Sequence, residues 1–234
     1  MHLLIRDAGL SVNIGKTEYM VINGQNEEDG TSQVVINGQA LKRVLTFKYL
    51  GTVVDETGGY EKAAAARISA ALLKWRTLSG VMCDKQMPKT LKGKVYKTVI
   101  RPVLMYGSET WALRAQDTRK IAAAEMKILR WSSGHTKLDR IRNTVIREGM
   151  KVAPIEAKLR ENRLRWFGHV QRREDGHVCK AVQTWKVDSK GRCGRPKLRW
   201  KDCINKDLRE ARVDVTVAAD RAKWRKLTHH ADPI

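Results

Sequence analysis

No two aspartates stand side by side anywhere in this chain of 234 residues, and no run of about 18 apolar residues interrupts it. The first absence weighs against a self-contained two-metal phosphoryl-transfer centre, which needs converging carboxylates around paired Mg²⁺ ions. The one acidic run, Glu27-Glu28-Asp29, sits in a Gly/Asn-rich stretch that reads as a solvated loop. The second absence leaves nothing to span a bilayer as a helix. Cysteine is scarce: Cys83, Cys179, Cys193 and Cys203 lie far apart, and no apolar leader precedes them. A disulfide framework is therefore not expected, and a soluble protein in a reducing, intracellular compartment is. Gly-rich phosphate loops and Ser/His/Asp or Cys/His catalytic arrangements are missing too.

Positive charge is abundant. The formal net charge is +21, and such an excess repels itself unless a polyanion neutralises it, so nucleic acid is the expected partner. Residues 1–60 hold 5 Lys and Arg against 7 Asp and Glu, so the surplus lies beyond them. The seven tryptophans outnumber the two phenylalanines. Trp75, Trp131, Trp166, Trp200 and Trp224 each have Lys or Arg beside them, which suits either base stacking next to phosphate contacts or the anchoring of small helical cores.

The period of the pattern changes once. Residues 3–10 read as a helix tail ending at Gly9, and Ser11–Ile14, Thr17–Ile22, Val34–Ile36 and Leu45–Leu50 as short strands, with Asn23-Gly24 and Asn37-Gly38 as turns. From Gly58-Gly59 onward the apolar spacing is helical. Helices are predicted over about 60–79, from Ile68, Leu72 and Trp75, and over about 88–105, from Leu91, Val95 and Val99 behind Pro88. A third, capped by Asp117 or Thr118, carries Ile121, Ala124, Ile128 and Trp131. A short helix before Gly149, a longer one from Pro154 to about Val170, and another through Trp200, Ile204, Leu208 and Ala211 follow, with a frayed end or a Trp224-centred helix last. Residues 187–196 read as a mobile loop. The fold class expected is α+β, mostly α. It comprises a small β-rich unit over 1–58, a three-helix bundle over 59–134 and a basic helical region over 135–234.

Several segments carry a resemblance. Ala8-Gly9-Leu10-Ser11-Val12-Asn13-Ile14-Gly15-Lys16-Thr17-Glu18, then Phe47-Lys48-Tyr49-Leu50-Gly51, and then Tyr96 to Trp111 resemble the palm end, primer grip and thumb of a non-LTR (LINE-like) retrotransposon reverse transcriptase. Lys137–Asn143, Leu159–Val170 and Gly194–Trp200 resemble its post-thumb region, so the resemblance covers nearly the whole chain. It implies a C-terminal fragment of an RNA-directed DNA polymerase, with the fingers and the aspartate-bearing palm lying N-terminal to it. Such a fragment would have no catalytic residues and no cofactor of its own, Mg²⁺ belonging to the full-length parent. It would bind RNA, DNA or an RNA–DNA hybrid. By the same resemblance Lys16 lies near the incoming nucleotide, and Phe47, Tyr49, Leu50 and Gly51 form the primer grip, where glycine lets the primer strand approach closely.

Phosphate contacts are expected from Lys92, Lys94, Lys97, Arg101, Arg114, Arg119 and Lys120 on the thumb, and from Arg140, Arg142, Arg160, Arg163, Arg165, Arg192, Arg195, Lys197 and Arg199 beyond it, with Trp166 as a stacking residue. His169, His177, Cys179, Cys193 and Cys203 lack the two close pairs of a structural zinc site, so isolated thiols are the preferred reading. Arg192-Cys193-Gly194-Arg195-Pro196-Lys197 shares the Gly-Arg-Pro core of a minor-groove hook but has cysteine where that motif wants arginine, and reads as a phosphate-binding loop. A free-standing nucleic-acid-binding protein and a non-functional remnant of a decayed element are the other readings open.

Overall fold

The computed structural model describes residues 12–22, 33–49, 51–184 and 198–233. The expected helix over residues 3–10 and the basic loop over 187–196 fall outside them. The chain divides into two compact units, Met1–Ala63 and Ala64–Ile234.

The first unit is built from strands of two to four residues. β1 (Glu18–Tyr19) and β4 (Lys42–Arg43) pair in parallel, while β2 (Val35–Ile36) and β3 (Gln39–Ala40) pair antiparallel. Ile36 faces Gln39 across the two residues Asn37 and Gly38, at φ 51° and 76°. This is the left-handed pair that the Asn-Gly dipeptide promises for a tight hairpin. A second hairpin joins β5 (Thr46–Tyr49) to β6 (Thr52–Asp55) with Tyr49 opposite Thr52, so residues 50 and 51 make the turn. Gly51 takes φ 82°, a conformation that costs a side-chain-bearing residue and is free to glycine. Leu50 lies outside the described residues. Little is enclosed here: Leu41, Asp55 and Ala63 are the buried residues described in this unit.

The second unit is helical. α1 (Glu61–Thr77), which begins in the first unit, fills the helix predicted over about 60–79, and the single turn α2 (Ser79–Met82) follows it. The predicted helix over 88–105 appears as α3 (Lys89–Val95), a π-helical turn (Tyr96–Ile100) and α4 (Arg101–Met105). The break has a cause. Pro102 has no N–H and its ring would press on the carbonyl four residues back, and a widened turn just before it, with Arg101 N–H reaching back to the Tyr96 carbonyl, absorbs the clash. α5 (Ala115–Ser132) starts two residues ahead of its expected cap; Arg114 takes the N-cap position, and Asp117 is buried in the first turn with Lys120 at 3.4 Å.

α6 (Asn143–Met150), α7 (Ile155–Gln171), α8 (Val178–Thr184), α9 (Trp200–Ala211) and α10 (Arg221–Thr228) complete the unit, with 3-10 turns at Ser108–Thr110 and Val215–Ala219. α7 is the centre: α5, α9, α10 and both of these turns pack on it, so helices on either side of residue 134 share one interior. Trp111, Tyr96, Ile100, Ile121, Ile128, Met150, Ile155 and Leu159 are fully enclosed in that interior. Leu164, Phe167, Ile204, Leu208, Val213, Ala218 and Trp224 form the adjoining cluster, and the Trp224 indole N–H donates to the Leu164 carbonyl at 2.9 Å. Trp224 therefore centres a real helix, the second of the two outcomes left open for the chain end. The architecture is mostly helical with a few small sheets, as the pattern predicts.

Candidate nucleic-acid interface

Exposure sorts the cations. On α5, Arg119, Ala123, Lys127 and Trp131 follow one another at four-residue intervals, all exposed, and so share one face over about 18 Å of helix. The Lys127 ammonium lies 4.5 Å from the centre of the Trp131 ring, within cation–π range. Behind it the Trp75 ring sits 5.0 Å from Trp131, and the Trp75 indole N–H donates to Ser132 Oγ at 3.1 Å. Trp75 is thus a buried support, and Trp131 a half-open shelf with a cation beside it. Past the helix, Arg130 holds the loop to α6: its guanidinium donates to the Ile141 carbonyl and to Asn143 Oδ1, both at 2.7 Å. Asp139 accepts from Thr136 N–H at 2.6 Å. That bracing leaves Lys137, Arg140 and Arg142 in solvent, Arg140 at φ 52°.

Other expected phosphate ligands are spent inside the protein. Lys92 is buried and its ammonium donates to the Ser132 carbonyl at 2.8 Å, which differs from the expected phosphate-facing lysine. The periodicity placed its Cα correctly on α3 but could not show which side the long, bending side chain takes. Lys97 donates to the Lys151 carbonyl at 2.9 Å. Arg101 grips Asp232 with two parallel hydrogen bonds of 2.7 and 2.8 Å, and Arg163 grips the buried Asp207 at 2.6 and 3.0 Å. Bidentate pairs of this kind hold a guanidinium in place. Arg160 reaches Glu210 at 3.3 Å, whereas Arg199 uses its backbone N–H, on Asp202 at 2.9 Å, and its side chain stays exposed.

Lys94, Arg114, Arg119, Lys120, Arg140, Arg142, Arg165 and Arg199 are exposed, and Trp166 is half-buried. Lys16 is exposed at the end of a 3-10 turn, and Phe47 and Tyr49 are exposed on the β5–β6 hairpin. Arg192, Arg195 and Lys197 lie outside the described residues. Among the described residues no three His, Cys, Asp or Glu side chains gather into a metal-holding group, Cys193 being outside them. No helix of the described residues is long and apolar enough to cross a membrane.

Two ion networks that the sequence does not announce hold the unit together. Glu125, wholly enclosed, accepts from the Tyr96 hydroxyl at 3.0 Å and from Arg147 at 2.7 Å. Burial raises its pKa, opposed by the Arg147 charge and hydrogen bond, and burial with the Glu125 charge pushes the Tyr96 hydroxyl up. Beyond α10 the last residues return to α4 and α7: Asp232 also accepts the Ala153 N–H at 2.9 Å, Glu161 contacts His229 at 2.9 Å, and Lys158 donates to the His230 carbonyl. Burial acts to raise the Asp232 pKa, but Arg101, the Ala153 N–H and Lys158 outweigh it and hold the carboxyl at about 2.

The chain is 25% identical, over 93% of its length, to an uncharacterised transposon-derived protein of Caenorhabditis elegans, 82% of which is covered. It is also 25% identical over 65% of its length to the RNA-directed DNA polymerase from the mobile element jockey of Drosophila funebris, spanning 16% of that protein. No protein-family model and no solved structure matches. By these similarities, and in agreement with the non-LTR resemblance carried by its motifs, the chain is similar to a transposon-derived protein and to an RNA-directed DNA polymerase from a mobile element.

Proposed function

We propose that this chain is the nucleic-acid-gripping C-terminal part of a retrotransposon-encoded reverse transcriptase, and that its helical unit binds RNA, DNA or an RNA–DNA hybrid through phosphate contacts with weak sequence preference. The observation that carries the reading is the exposed α5 face, where Arg119, Lys127 and Trp131 align and Trp75 backs Trp131, on a chain of net charge +21. The thumb corresponds to about residues 59–134, and the β5–β6 hairpin with Phe47, Tyr49 and Gly51 to the primer grip. Lys16 is the nucleotide-proximal lysine in this reading. These residues hold no Asp-Asp pair, so the Mg²⁺-binding carboxylates of polymerisation must come from outside them.

The test is binding of a labelled RNA–DNA hybrid, duplex DNA and single-stranded RNA across a salt series, with primer extension in the same tubes. The expected outcome is a log affinity that falls steeply with log salt and no extension, with Arg119→Gln and Lys127→Gln each removing about one unit of slope. Salt-independent binding, or none at low salt, overturns the reading. Extension of the primer overturns its catalytic half.

A further inference from the structure

At the far end of α7 a second cationic site stands apart from the α5 face. Trp166 and His169 are three residues apart on the helix, so their side chains leave it on the same side. Their rings stack, 5.4 Å between centres and 23° between planes, with His169 exposed. Just past the helix end, Arg173 Nη2 lies 3.0 Å from His169 Nε2. A guanidinium can only donate, so Nε2 accepts and the imidazole is neutral, with its proton on Nδ1. Burial, and then the charges of Arg173, Arg172, Arg221 and His177, keep His169 below the usual histidine range.

The arginines here differ from those elsewhere in the unit. Arg101, Arg147 and Arg163 are each paired with a carboxylate. Arg172 instead donates to the Ala218 carbonyl at 2.8 Å, which pins it on the 3-10 turn leading into α10. Arg221 opens α10 three residues after Ala218, and its charge adds to burial in lowering the Arg172 pKa. Among the described residues no carboxylate forms an ion pair with Arg172, Arg173 or Arg221. Three guanidinia that form no ion pair among the described residues thus lie around a neutral, stacked aromatic pair, with Glu174 and Asp220 as their chain neighbours.

We propose that this site captures an unpaired nucleotide: the base extends the Trp166–His169 stack, and the Arg172, Arg173 and Arg221 guanidinia take the adjoining phosphates. Flat π-faces select a base over a phosphorylated peptide or a lipid headgroup, and arginine forks suit phosphate oxygens. A base within a duplex has both faces covered by its neighbours, so the stack selects single-stranded RNA or DNA, or the overhang beyond a hybrid. The proposal rests on the reading that the helical unit binds nucleic acid, and it assigns a different strand state to a different surface.

The experiment measures fluorescence polarisation of a blunt RNA–DNA hybrid and of the same hybrid with a single-stranded overhang. Wild-type protein is set against His169→Ala, Trp166→Leu and Arg173→Gln, with Arg119→Gln as the control on α5; circular dichroism checks that each is folded. The expected result is tighter wild-type binding to the overhang, lost by about tenfold in His169→Ala and Arg173→Gln while blunt-hybrid affinity stays unchanged. Arg119→Gln should weaken both. Equal affinity of wild-type protein for the two probes, or equal losses on both in the α7 variants, overturns the site while leaving the broader reading standing. Absence of binding to either probe overturns both. Equal binding to phosphatidylserine-containing vesicles, abolished by the same substitutions, reassigns the site to a lipid surface and also overturns the proposal.

Discussion

Asp232 shows how one side chain can anchor a chain end. It ties Arg101, the Ala153 N–H and Lys158 together, and its pKa is held at about 2 in place of the ordinary 3.8. A carboxyl lowered on folding stabilises fully above its unfolded value, and that contribution drains as pH falls through the folded value. Urea unfolding should therefore show about 1–2 kcal/mol lost between pH 5 and pH 2, solvent screening at the partly open site included, and Asp232→Asn should flatten that part of the profile. Glu125 poses the opposite case, a buried carboxylate with one cationic partner, Arg147. Arg147→Met leaves it uncompensated and should cost about 3–5 kcal/mol in equilibrium denaturation, whereas Glu125→Gln with Arg147→Met together should cost clearly less than the sum.

At the scale of elements, glycine sets how closely helices meet. A Cβ on Gly168 would stand 2.3 Å from Nε1 of Trp224, so α10 lies directly on the backbone of α7 at that point. Gly168→Ala must push the indole out of the Leu164–Phe167–Ile204 cluster, and thermal unfolding should show a loss of about 1–3 kcal/mol. Wild-type stability in that variant would mean the contact is slack. Element positions were largely legible: α1, α6, α7, α9 and the β2–β3 turn at Asn37-Gly38 stand where period and turn residues place them, whereas β6 (Thr52–Asp55) had no strand predicted for it. The split of the 88–105 helix follows from Pro102, whose consequence depends on whether the preceding turn can widen. Tryptophan was legible in type and ambiguous in use. Trp75 and Trp224 are core, while Trp131 and Trp166 keep part of their surface open, and a Lys or Arg neighbour marks both kinds alike.

At the scale of the whole molecule, a net charge of +21 is a standing electrostatic cost to compactness. Salt screens it over about 10 Å at 0.1 M, and a bound polyanion removes it locally. The melting temperature should accordingly rise with added sulfate, and rise further per unit of charge with heparin; a melting temperature indifferent to both would show that the internal ion pairs already balance the field. Those pairs consume Arg101, Arg147 and Arg163, so the surface available to a partner carries fewer cations than the composition suggests.

Charge, helical period, turn dipeptides and the motif resemblance belong to the sequence by itself, because each is a property of residues near one another in the chain. Which cations face solvent belongs to the tertiary structure. Lys92 and Lys94 sit two residues apart on α3 with the same charge, yet one ends against the Ser132 carbonyl and the other in water. Arg172 and Ala218 are 46 positions apart and meet because the Val215–Ala219 turn packs on α7 ahead of α10. A long flexible side chain takes its partner from whatever packing brings within reach, and that partner is contributed by residues no local pattern can name.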